Sequence, residues 1–123
     1  MVDILIQILY HLLNGASRSS QFSNNWQNAS LSETVRRIAG ENPRIYNTTN
    51  RQKTIFENRE NGMQVMYDLS GNYFRINNPN INSSRSFVGL NGENVNNKIL
   101  PNGTQMGRSK SEYQQVTHFY ALP

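Results

Sequence analysis

The chain has no cysteine. That excludes a disulfide framework, a thiolate nucleophile and every cysteine-ligated zinc site, including the nucleobase-deaminase type. Histidine is scarce too. His11 and His118 are the only two, and neither has an acidic cluster near it, so a catalytic zinc site is not expected. Acidic residues are few, 8 against 12 Lys and Arg, which leaves a net charge of +4. Apolar residues make up only 36% of the 123, so one thin core is all the chain can build. No apolar run approaches the ~20 residues that cross a bilayer, so no stable membrane insertion is expected. Neither a glycine-rich nucleotide loop between strand and helix nor Gly-x-Ser-x-Gly occurs. No metal or cofactor is expected.

Asparagine is abundant, at 19 residues. It favours turns and tolerates left-handed backbone, so short strands joined by many loops are expected. The positive charge, mostly arginine, gives a pI near 9.7. Seven of the basic residues fall between Arg18 and Arg59. Arginine suits bidentate phosphate contacts, so a polyanion partner is one reading and plain solubility charge the other.

Residues 2–13 are almost all apolar, with Asp3, Gln7 and His11 recurring every fourth residue. This predicts a helix with one polar stripe, stopped by Asn14-Gly15. Asp3 stands where a signal peptide carries positive charge. The segment is expected to be a buried or partner-facing helix within residues 1–15, or the tail of an upstream region. Residues 16–29 read as a polar linker. Ser30 and Glu33 predict a capping box that opens a second helix over 30–40, with Leu31, Val35 and Ile38 inward. Gly40 ends it and Pro43 prevents restart.

Strand patterns begin at Arg44. Strands are expected over 44–48, 53–58, 63–68, 73–76, 85–90 and 112–120. Asn61-Gly62 is a hairpin turn, 70–72 another turn, and 93–110 mostly loop. The sum is a single α+β domain: two N-terminal helices packed on a twisted antiparallel four- to five-stranded meander over 44–120.

The last segment, Gln114 to Tyr120, sets His118 beside Thr117 and between aromatics. Histidine titrates near neutral pH and is the usual proton-transfer group. In a basic chain without metal ligands, it points to metal-free cleavage of RNA. The competing reading is a histidine packed at the rim of the core.

Lys53-Thr54-Ile55-Phe56, a turn, Gln64-Val65-Met66-Tyr67-Asp68, Gly71, Tyr73-Phe74-Arg75-Ile76 and the later Thr117-His118-Phe119 resemble toxin domains. These are the C-terminal tips of bacterial polymorphic toxins, such as contact-dependent growth inhibition and Rhs proteins. The helices-then-meander order is similar to the barnase, EndoU, colicin D and RelE ribonuclease superfamily. The resemblance implies delivery as the tip of a larger secreted or cell-surface protein. It also implies cleavage of tRNA or rRNA in the cytoplasm of a competing bacterium, and a cognate immunity protein as partner.

Such cleavage needs a base for the 2′-hydroxyl, cations for the charged phosphorane and an acid for the leaving oxygen. His118 is the first candidate for base or acid. Thr117 could hold a phosphate oxygen, although a continuous strand would turn it to the opposite face. Lys53 and Arg75 are the expected cations, with Arg75 on the outer sheet face if Phe74 and Ile76 face the core. Tyr73 could stack a base or bond phosphate. Arg85, between Ser84 and Ser86, is a candidate phosphate clamp or a loop cap. His11 and Glu57 are lesser candidates for the base. Two alternatives stay open: a non-enzymatic interaction module docking through residues 2–13, and a toxin acting on NAD or protein.

Overall fold

The computed structural model describes residues 26–123. The expected first helix, with His11, and residues 16–25 of the expected linker lie outside the described residues. The described elements are β1 (Gln27–Ser30), α1 (Leu31–Ala39), β2 (Arg44–Asn47), β3 (Lys53–Glu57), β4 (Gln64–Asp68) and β5 (Tyr73–Asn77). They continue with β6 (Phe87–Val88), β7 (Asn97–Ile99), β8 (Gln105–Gly107), α2 (Lys110–Val116) and β9 (Phe119–Leu122). The fold is α+β, as the patterning predicts.

A seven-stranded sheet runs in the order β1-β9-β5-β4-β3-β2, with β6 also on β5. β2 to β5 form the expected antiparallel meander. Its turns use the expected residues. Gly62 has φ 76°, and its amide donates to the Asn58 carbonyl at 3.0 Å. Asn72 takes φ 51° at the next turn, a conformation asparagine tolerates.

Three expectations are corrected. The sheet is mixed and larger than four or five strands, because residues 27–29, read as linker, and Ser30, read as the start of the helix, form β1 parallel to β9. That pairing joins opposite ends of the described residues, and no local pattern encodes it. The two described helices are not both N-terminal: α2 lies late in the chain, where 112–120 read as one strand. Ser109 starts α2 by accepting from the Glu112 amide, while the Glu112 side chain accepts from the Ser109 amide, a complete capping box. The expected strand over 85–90 shrinks to β6, and β7 and β8 form a separate hairpin within the expected loop 93–110.

Helix α1 begins at the expected cap, with Ser30 accepting from the Glu33 amide, the Ser30 half of the expected capping box. It ends at Gly40, whose φ of 92° favours glycine. Its Leu31, Val35 and Ile38 pack on one sheet face, against Val65, Phe74, Ile76, Val88 and Phe119. Strand alternation sends the neighbours of these residues to the other face. There β3 contributes Lys53, Ile55 and Glu57, and β4 contributes Gln64, Met66 and Asp68. β5 adds Tyr73, Arg75 and Asn77 to the same face. The first face is the hydrophobic core, and the second carries most of the polar chemistry.

Candidate functional site

Of the residues singled out from the sequence, the second sheet face brings together His118, Thr117, Arg75, Tyr73 and Lys53. Register places Lys53 opposite Asp68, Asp68 opposite Tyr73, and Tyr73 opposite Tyr120. These four residues form one row across β3, β4, β5 and β9. Arg75 stands two residues along β5 from Tyr73, and His118 immediately precedes β9. The Tyr73 and His118 rings lie 5.2 Å apart, centroid to centroid.

His118 is held on three sides. Trp26 stacks on its ring at 4.7 Å and 16°. Tyr73 packs at its edge. Its Nδ1 lies 2.5 Å from the Gln114 carbonyl oxygen, one turn back in α2. A carbonyl only accepts, so Nδ1 carries the proton and donates. Nε2 is therefore the nitrogen at which a proton is gained or lost. His118 is only 3% exposed, so the ring is part of the packed interior as well as a chemical group.

Arg75 departs from the expected outward pose. Phe74 and Ile76 do face the core, and Arg75 does lie on the opposite side, but it is only 9% exposed. The reason is that the Phe87 ring and Thr117, at the end of α2, pack against it. Its guanidinium lies 3.5 Å from the centroid of the Phe87 ring. Its Nη2 donates to Thr117 Oγ1 at 3.0 Å.

Thr117 is fully buried, and it does not alternate with His118 as strand residues would. It caps the C-terminus of α2, and the bend there lets both side chains reach one cluster. Its hydroxyl donates to the Tyr113 carbonyl at 2.8 Å while accepting from Arg75.

Tyr73 is buried, and its hydroxyl donates to Asp68 Oδ2 at 3.3 Å. Asp68 also accepts from Ser70 Oγ at 2.8 Å and from the Gly71 amide at 2.9 Å. Sequence reasoning missed Asp68 and Trp26 as members of the cluster. Asp68 closes the β4–β5 turn and faces the Tyr73 row, a placement the hairpin register already implied. Trp26 arrives through the nonlocal β1–β9 pairing.

Arg85 is not brought to this cluster by any described contact. Its Nη1 donates to the Arg108 carbonyl at 2.8 Å, and its guanidinium sits 5.0 Å from the centroid of the Tyr113 ring. This is the loop-capping alternative in physical form. Glu57 likewise stands away from His118, in a polar row at the other end of the face. There it accepts from Tyr46 Oη at 3.4 Å and from Gln64 Nε2 at 2.8 Å, and lies 3.6 Å from Arg44. Burial, with the Glu57 carboxylate beside it, pushes the Tyr46 hydroxyl above its usual pKa, so it stays a donor.

Among the described residues, no three His, Asp or Glu side chains gather as a metal site, and no helix is long and apolar enough to cross a membrane. Compared with known proteins, the chain matches no family model, no curated protein and no solved structure.

Proposed function

We propose that this domain is a metal-independent ribonuclease toxin domain that cleaves tRNA or rRNA in competing bacteria. The supporting observation is the grouping of His118, Arg75, Tyr73 and Lys53 on one face of one sheet. A proton-transfer group, two cations and a phenol stand on that face, contributed by β3, β5 and the helix end before β9.

In this reading His118 Nε2 takes the proton of a ribose 2′-hydroxyl. The 2′-oxygen attacks phosphorus and the P–O5′ bond breaks; the 5′-oxygen takes a proton from water and the imidazolium returns its own to solvent, leaving a 2′,3′-cyclic phosphate and a 5′-hydroxyl end. The Gln114 carbonyl holds Nδ1–H in place, so the ring acts through a single nitrogen. Arg75 supplies charge to the phosphorane oxygens, and Lys53 adds a second cation at the far end of the row. Thr117 acts through Arg75, as a positioning residue. For RNA to reach Nε2 and Arg75, the covers over both must part: Trp26 over the imidazole and Phe87 over the guanidinium.

Induced expression in a bacterium, with total RNA resolved on a denaturing gel, tests the proposal. Discrete tRNA or rRNA fragments with cyclic-phosphate ends are expected. They should fall by roughly 10²–10⁴-fold in a folded His118→Gln variant. Growth arrest with intact RNA would move the target to NAD or protein. No arrest from soluble folded protein would favour the interaction module.

A further inference from the structure

The second sheet face continues past Arg75 into a row that the proposed chemistry does not use. Arg44, Glu57, Gln64 and Asn77 stand in register across β2, β3, β4 and β5. Glu57, Gln64 and Asn77 are half-buried, as is Tyr46 beside them. A chain of hydrogen bonds fixes their orientations. Gln64 Nε2 donates to Glu57 Oε1 at 2.8 Å and to Tyr46 Oη at 3.1 Å. Both amide hydrogens of Gln64 are thereby used, which turns its Oε1 toward Asn77. Asn77 Nδ2 donates to that oxygen at 3.0 Å, and Asn77 Oδ1 accepts from Ser86 Oγ at 2.7 Å.

Counting donors and acceptors leaves a pattern. Asn77 keeps one N–H, and Gln64 keeps one lone pair on Oε1. They lie side by side, each amide locked against flipping by its other bonds. An N–H beside a carbonyl oxygen is the complement of a nucleobase edge, and side-chain amides use this pairing in base recognition. The row stands one strand step of two residues, ~6.7 Å, beyond Arg75. That is the scale of one nucleotide of an extended RNA strand. Sheet faces that bind single-stranded RNA splay their bases in this way.

We infer that Gln64 and Asn77 form a nucleobase-reading subsite, which selects the base next to the phosphate held at Arg75. The inference rests on the ribonuclease reading for its ligand, and the Tyr46–Glu57 pair serves to orient Gln64. Arg44 lies at the exposed end of the row, 5.0 Å from the centroid of the Tyr46 ring, where it completes the support.

Binding of 2′-O-methyl octanucleotides of A, C, G and U, which cannot be cleaved through a 2′-hydroxyl, tests the subsite without relying on chemistry. The expected result is a preference of roughly tenfold or more for one homopolymer. That preference should flatten in Gln64→Ala and Asn77→Ala. Asn77→Asp, which keeps the shape and replaces a donor by an acceptor, should change the preferred base while its circular dichroism stays native. Equal binding of all four, no binding, or a preference untouched by these variants would overturn the subsite. Base-selective binding lost in the variants, with no cleavage of ordinary RNA by the wild type, would sink the nuclease reading and leave the subsite standing.

Discussion

Arg75 donates to Thr117 Oγ1 at 3.0 Å, and this bond ties a central strand of the sheet to the end of the last helix. The same hydroxyl passes its own hydrogen to the Tyr113 carbonyl. Both partners are buried, so neither bond is replaced by water if it is lost. Thr117→Val keeps the side-chain shape and removes the acceptor. It should destabilise the domain by about 1–3 kcal/mol in urea unfolding. Thr117→Ser keeps the oxygen and loses one methyl, at a cost of about 1 kcal/mol. If Thr117 positions Arg75, Thr117→Val should lower the cleavage rate with little change in RNA affinity, and serine should restore it. A valine form as stable as the wild type would show that the bond contributes nothing.

Trp26 is the only tryptophan, and it lies flat on the ring of His118. An imidazolium quenches a stacked indole more than a neutral imidazole does. Acid that protonates His118 should therefore lower the tryptophan fluorescence in a step. In His118→Gln that step should vanish while the native spectrum remains. A step of equal size in the variant would place the titrating group elsewhere. The same signal reports access: an uncleavable RNA that reaches Nε2 must disturb the stack and change the emission.

Acid should loosen the segment that carries His118, and Glu112 sets the direction. The Lys98 ammonium bonded to it, followed by the Ser109 amide and hydroxyl, holds its carboxyl at about 2 in the folded state, down from 4.5. A depressed folded pKa means that the contribution to stability is complete above 4.5 and is lost as pH falls toward about 2. Glu112 closes the capping box of α2 and, through Lys98, ties that helix to β7. The urea midpoint of the wild type should fall through that window faster than that of Glu112→Gln, and the two should converge at its acid end. Parallel curves would show that the ion pair does not stabilise the fold. The group is solvent-facing, so added salt should shrink the difference.

The meander was legible in the sequence because its signals are local. Asn61-Gly62 sets a turn, and the alternation of Val65 and Tyr67 against Met66 and Asp68 assigns the two faces. Once that register is fixed, Lys53, Asp68 and Tyr73 must share a row. Helix α2 was hidden by a competing pattern: Val116, Phe119 and Tyr120 suit a strand, and the Ser109–Glu112 spacing that opens the helix is short and polar. The same spacing at Ser30–Glu33 announced α1 only because an apolar stripe followed it. The burial of Arg75 and the stacking of Trp26 on His118 were not legible. Both depend on contacts between residues far apart in the chain, β5 with the end of α2 in one case and the chain before β1 with β9 in the other.

Lys53 and Arg85 looked alike in the sequence, as basic residues poised to bind phosphate, and their surroundings now separate them. Lys53 is half-buried in the row with Asp68, Tyr73 and Tyr120. Arg85 is bonded to the Arg108 carbonyl and packed on Tyr113, and these contacts brace the loop before β6. Lys53→Ala should therefore lower cleavage by roughly 10²-fold, the loss typical when one group that stabilises a charged transition state is removed. Arg85→Ala should leave the rate within about tenfold of wild type while lowering stability by about 0.5–1 kcal/mol, the scale of a partly exposed cation–π contact. Single-turnover cleavage and urea unfolding, measured on both variants, give the comparison. A large rate loss in a stable Arg85→Ala protein would return Arg85 to the phosphate site and would mean that RNA binding draws its loop toward Arg75.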